Sequence, residues 1–112
     1  MTSEGPPLTV SRETSGPATI LVLVGELDPA SAPVLDAEIN AVLGGGATEL
    51  IIDMAGLSFI DSSGLRSLIR AQKQFDPTVV VLRGPTAFAR QLLLITGLDQ
   101  RFRIDPEDLE GS

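Results

Sequence analysis

The chain has 112 residues, 43% apolar and 21% charged, which is the size and make-up of one soluble domain. Cysteine and histidine are absent, which excludes a disulfide framework, a thiolate or imidazole metal site, a cysteine nucleophile and a Ser-His-Asp triad. With 8 basic against 15 acidic residues and a net charge of −7, the chain repels phosphate backbones and anionic lipid, so neither nucleic acid nor membrane is an expected partner.

Met1 to Pro7 carries no basic residue and no apolar core, so it is expected to be a loose tail rather than a secretory signal, and the protein is expected in the cytoplasm. Leu8 to Arg12 alternates apolar and polar residues, the pattern of a short edge strand with one wet face, and Ser15-Gly16-Pro17 is a turn. Ala18 to Gly25 is a continuous, β-branched apolar run and predicts a strand buried on both faces. Its longest aliphatic stretch, Ile20 to Val24, is far too short to span a bilayer.

After the loop Glu26-Leu27-Asp28-Pro29-Ala30-Ser31, a first helix is predicted from about Ala32 to Leu43, with Leu35, Ile39, Val42 and Leu43 on its inner stripe. Gly44-Gly45-Gly46 ends it. Glu49 to Met54 is a second buried strand, and Ala55 to Ile60 reads as a connection. Asp61-Ser62-Ser63-Gly64 opens a second helix to about Phe75, with Leu65, Leu68, Ile69 and Phe75 inward and Arg66, Arg70 and Lys73 outward; Asp76-Pro77 stops it. Thr78 to Leu82 is a third buried strand. A third helix follows Gly84-Pro85-Thr86, runs to Thr96 and closes on Gly97, with Phe88, Leu92 and Ile95 on one stripe that Leu93 and Leu94 widen. Phe102 to Ile104 is a last short strand, and 105–112 an acidic tail. The expected domain therefore spans 8–104, with a strand–helix alternation that implies a single α/β domain: about five strands in a mixed, mostly parallel sheet packed with helices.

Chemistry-bearing residues concentrate in Phe59-Ile60-Asp61-Ser62-Ser63-Gly64-Leu65. Partners of such a sheet meet the loops at the carboxyl ends of its strands. A serine in the first turn of a helix can take a phosphate without disrupting the helix, because unpaired N–H groups and the dipole favour an anion there. Asp61 and Ser62 are also good N-caps, and one residue can cap while its neighbour faces solvent. Gly64, a poor helix former, implies a close approach to the backbone, an irregular turn, or a packing role against the sheet. Glu26, Asp28, Asp53 and Asp61 are expected at the same edge, with Asp28 and Asp53 also readable as turn or cap residues. An acidic edge with no local lysine is a poor cradle for ATP, and neither a P-loop nor a dinucleotide-binding glycine motif is present. A receiver domain needs an acidic pair after its first strand and a lysine after a late one, whereas the sole lysine, Lys73, falls in the second helix.

Gly25-Glu26-Leu27-Asp28, Leu50-Ile51-Ile52-Asp53, Phe59 to Leu65 and Thr96-Gly97-Leu98, in this order and spacing, resemble the STAS domain of bacterial anti-sigma factor antagonists, over about Leu8 to Ile104. The resemblance implies a non-enzymatic switch without a cofactor of its own. Its partner would be an anti-sigma factor with a GHKL-type serine-kinase fold. That partner, using its own ATP and Mg²⁺, would phosphorylate Ser63, with Ser62 as the second candidate, and so release the antagonist; a PP2C-type phosphatase would restore the hydroxyl. The implied partner-binding set is Glu26, Asp28, Asp61, Ser62, Ser63, Gly64 and Leu65. Pro29 departs from the family pattern by stiffening the loop after Asp28, and the segment after Ile104 is short for a final helix. The alternative is a non-switching STAS scaffold subunit of a stress-signalling or lipid-transport complex. A nucleotide-binding domain is the third reading, and the acidic edge argues against it.

Overall fold

The computed structural model describes residues 6–74 and 79–105. Their elements are β1 (Thr9–Ser15), β2 (Ala18–Leu27), α1 (Ala32–Gly44), β3 (Glu49–Ile60), α2 (Ser62–Gln74), β4 (Val79–Arg83), α3 (Ala87–Thr96), a 3₁₀ turn (Leu98–Gln100) and β5 (Arg103–Asp105). The five strands form one sheet in the order β1-β2-β3-β4-β5, with β1 antiparallel to β2 and every other pair parallel.

β1 and β2 are joined by the two-residue loop Gly16-Pro17, where Gly16 takes φ 60° as a tight hairpin requires. From β2 onward each crossover steps one strand in the same direction. Right-handed crossovers in that order place every helix on the same face of the sheet. The core shows this. It takes Leu21, Leu23, Leu50, Ile52, Val80 and Leu82 from the strands and Leu35, Ile39, Leu68, Ala89 and Leu93 from the three helices, while Ile20, Val22, Ile51 and Val81, which alternate with those strand residues, lie outside it. The sheet therefore has one packed and one open face.

One strand boundary and two helix faces differ from the sequence expectation in ways that bear on the site. β3 does not stop at Met54. It continues through Ala55-Gly56 to Ile60 beside β2, with two register shifts in that stretch. Asp53 consequently lies within the sheet, not at its functional edge. On α3 the buried residues are Ala89 and Leu93, so Phe88, Leu94 and Ile95 face solvent, Ile95 at 71% exposure. Leu43, expected on the inner stripe of α1, is exposed. Phe75, Asp76-Pro77 and 106–112 lie outside the described residues.

Pro6 and Pro7 are not loose. The Glu26 N–H donates to the Pro6 carbonyl at 3.1 Å, and Pro7 forms a parallel bridge with Glu26. Proline has no N–H, but its carbonyl still accepts, and Gly25 makes the crossing possible: a Cβ there would lie 2.4 Å from the Pro7 oxygen, and φ is 107°. Gly25→Ala is expected to destabilise the domain by about 1–3 kcal/mol in denaturant titration. Removing residues 1–7 from the variant should recover the part of that loss due to the clash; no recovery would show that only backbone strain matters.

Candidate functional site

The parallel strands β2, β3 and β4 all point their carboxyl ends at one edge, where the loops before α1, α2 and α3 gather. The loop between β3 and α2 is a single residue, Asp61. Its Oδ1 accepts the N–H of Ser63 at 2.9 Å and of Gly64 at 3.3 Å, and its carbonyl accepts the N–H of Leu65 at 3.0 Å. Asp61 is thus the cap of α2. Among the described residues neither the Ser62 nor the Ser63 hydroxyl has a hydrogen-bond partner, so both are chemically available. Ser62 is exposed and Ser63 half-buried.

Gly64 and Leu65 do not form the surface. Leu65 is a core residue, 6% exposed, and Gly64 is buried against β2 and β3. A Cβ on Gly64 would sit 2.7 Å from the Leu27 side chain and 2.8 Å from Ile60. Of the three readings open in the sequence, packing is the one realised. The absence of that Cβ lets the first turn of α2 lie directly against the end of β2. The Asp61 N–H donating to the Leu27 carbonyl at 3.3 Å ties the two together.

Leu27 is flanked by Glu26 and Asp28, so this contact carries the two acids to the serine edge. Asp28 is half-buried and held by Ser31. The Ser31 N–H donates to Asp28 Oδ1 at 3.0 Å, the Asp28 N–H donates to Ser31 Oγ at 3.0 Å, and Ser31 Oγ lies 2.9 Å from both Asp28 Oδ1 and the Glu26 carbonyl. These bonds, the Ser31 hydroxyl foremost, favour the carboxylate and hold the Asp28 pKa below its ordinary 3.8. Asp28 is therefore ionised and fixed in place. A hollow of about 430 Å³ opens beside this loop, lined by Pro7, Leu8, Glu26, Asp28 and Val34 among others.

Asp53, expected here, belongs elsewhere. It sits on the open face of the sheet, where Arg83 Nη2 donates to its Oδ2 at 2.9 Å and the Ala55 N–H to its Oδ1 at 3.0 Å. Partial burial pushes its pKa up, but the Ala55 N–H and Arg83 outweigh that, and the net direction is down. The sequence reading missed an aromatic pair at the edge itself. Phe59, next but one before Asp61, stacks on Phe88 of α3 with ring centroids 5.8 Å apart, and the two rings are 37% and 50% exposed. The spacing of Ala89, Leu92 and Leu93 was the available signal, but a small alanine on the buried stripe hides it beneath the larger Phe88. Among the described residues no three acidic side chains converge as a metal site, and no helix is long and apolar enough to cross a membrane.

A family model described as "Mlab, STAS domain" matches residues 10–106. The chain is 30% identical over 100 residues to the anti-sigma-F factor antagonist RsfB of Mycobacterium tuberculosis, covering 87% of this chain and 80% of that protein. The crystal structure of an anti-sigma factor antagonist from Mycobacterium paratuberculosis superposes with a TM-score of 0.78 at 30% identity, over 88% of this chain and 86% of that one. The unphosphorylated form of SpoIIAA, an anti-sigma factor antagonist, superposes with a TM-score of 0.75 at 24% identity, over 91% and 92% of the two chains, a likeness of fold.

Two outcomes follow from the site geometry. Ser31→Ala should raise the Asp28 titration midpoint toward 3.8, read by carboxyl-carbon NMR, and an unmoved midpoint would show that the hydroxyl does not hold the carboxylate. Because the folded pKa is the lower one, the contribution of Asp28 to stability is present above 3.8 and is lost as pH falls through the folded value. Gly64→Ala should cost about 1–3 kcal/mol by overpacking and should shift the amide signals of both Leu27 and Ser63.

Proposed function

The chain belongs to the STAS-domain family, and from that premise we propose that it is an anti-sigma factor antagonist whose docking is switched by phosphorylation of Ser63. The observation that carries the reading is the division of labour at the start of α2. Asp61 supplies the cap, which leaves the serine hydroxyls without a structural task. The likeness to RsfB, named an anti-sigma-F factor antagonist, supports the partner class.

In the unmodified state the edge offers a neutral hydroxyl, fixed carboxylates and an exposed aromatic pair. A hydroxyl enters an interface at little cost if it finds a hydrogen bond. Phe59 and Phe88 supply the rigid apolar area on which interfaces commonly depend. The partner, an anti-sigma factor with a GHKL-type kinase fold, binds this edge and loses its sigma factor. It then transfers the γ-phosphoryl group of its own ATP to Ser63 Oγ, the hydroxyl proton being released and ADP left behind. A PP2C-type phosphatase hydrolyses the ester, returning the hydroxyl and inorganic phosphate. The domain itself acts as ligand and substrate.

The magnitudes fit such a switch. A phosphoserine brings a charge of about −1.5 to −2. At a helix amino end that charge is tolerated by the fold. Facing a partner beside Glu26, Asp28 and Asp61, it must be desolvated among like charges, at a cost of several kcal/mol. Inverting a binding balance from 99:1 to 1:99 takes about 5.5 kcal/mol.

The test is incubation with the cognate kinase and ATP, read by intact mass. One added phosphate, absent in Ser63→Ala, is expected. Ser63→Ala should bind the anti-sigma factor and never be released, and Ser63→Asp should bind weakly while keeping its fold. Native-like binding by folded Ser63→Asp would contradict the electrostatic account. No phosphate on any serine would favour the scaffold alternative.

A further inference from the structure

The open face of the sheet carries a pattern that the docking edge does not use. Strand pairing sets Glu13 beside Ile20, Ile20 beside Ile51, Ile51 beside Val81 and Val81 beside Arg103. One row thus crosses all five strands at a single height: an acid on β1, three aliphatic residues, and a base on β5. These side chains share the face away from the helices, since the alternating residues Leu21, Leu50, Ile52, Val80 and Leu82 are in the core. Ile51 and Val81 are half-buried, Ile20 is only 7% exposed and so adds little further area, Val22 and Val24 extend the apolar strip, and Val24 is 46% exposed. Among the described residues neither Glu13 nor Arg103 has an ion-pair partner.

We propose that this face pairs with the same face of a second copy, about a two-fold axis that runs parallel to the strands through Ile51. That rotation sets Ile51 on its own copy, Ile20 on Val81 of the second molecule and Glu13 on Arg103 of the second molecule. The row is complementary to itself, as an isologous interface requires. The other in-plane two-fold, perpendicular to the strands, stacks Glu13 on Glu13 and Arg103 on Arg103, and the charges reject it. Asp53 meets its copy near the chosen axis, but each already holds Arg83 at 2.9 Å, so the contact there is between two ion pairs. Glu49, exposed one step back along β3, faces its copy without such a partner among the described residues and weakens the pairing.

The strand spacing and rise give the face a width of about 20 Å and a length of about 17 Å, so pairing buries on the order of 800 Å² in total. That is below the range of stable specific interfaces, and the dimer is a weak, transient one. Because the axis follows the strands, both serine edges point the same way, and a partner with two binding sites would be held at both. The inference stands apart from the phosphorylation reading and is tested without it.

The experiment is sedimentation equilibrium of the full unmodified chain from about 10 μM to about 1 mM, with circular dichroism to confirm folding. A monomer–dimer equilibrium is expected. Ile51→Lys should weaken it at least tenfold. Glu13→Arg and Arg103→Glu should each weaken it about tenfold, since every contact occurs twice, and the double variant should return to within about twofold of the original. Glu49→Gln should tighten it. A monomer throughout, a dimer indifferent to Ile51→Lys, or a double reversal that fails to restore pairing would each overturn the proposal. So would a dimer that forms only after 106–112 are deleted, because the face would then be covered by the chain itself.

Discussion

Everything at the docking edge depends on one missing side chain. Gly64 lets α2 begin against Leu27, with no room for even a methyl group between them. The contact fixes the serines relative to the Glu26–Asp28 loop, and the Asp61-to-Leu27 hydrogen bond keeps the two in register. Gly25 does the same for the other flank, where it lets Pro6 and Pro7 cross the end of β2. Two glycines, each at a place where another backbone or side chain must come close, draw three separate chain segments into one surface. Neither glycine touches a partner in this account; both act by setting distances.

The electrostatics of the edge follow from that assembly. Asp28 is held as a carboxylate there by the N–H and hydroxyl of Ser31. On the proposed reading, a fixed negative rim is compatible with docking while the serine is neutral. In the proposed switch, phosphate on Ser63 adds its charge to that same rim. The helix dipole favours an anion at this end of α2, so the fold tolerates the proposed modification. In the proposed switch, fold and binding respond oppositely to the same group, which is what a reversible switch requires. On that proposal the exposed aromatic pair adds affinity that does not depend on charge, and the serine acts as a veto on binding.

Much of this was legible in the sequence. The strand positions, the serine-bearing helix start and the α/β class follow from β-branched runs, cap residues and glycine positions, whereas the expectation that β2 is buried on both faces fails at Val24, 46% exposed. The misreadings have identifiable causes. Ala55-Gly56 looks like a break, yet β3 continues through it because β2 pairs alongside, and non-local pairing outweighs weak local propensity. That error moved Asp53 to the wrong end of the sheet. On α3 a small buried alanine and a large exposed phenylalanine inverted the expected stripe. Leu65 looked like part of a binding motif because it adjoins one, whereas it anchors the motif from below. The open face could not be read at all, since alternation cannot tell a covered apolar strand from an uncovered one until the handedness and order of the crossovers are known.

The central claim is that a single phosphate on Ser63 removes docking while leaving the fold intact. The most direct measurement compares one partner's affinity for the unmodified chain and for the chain carrying phosphate on Ser63, with amide NMR spectra recorded on both. The account predicts a loss of affinity of about 10⁴-fold, with spectral changes confined to the start of α2 and the Glu26–Asp28 loop. Equal affinity of the two forms, or a loss accompanied by spectral change throughout the sheet, would contradict it.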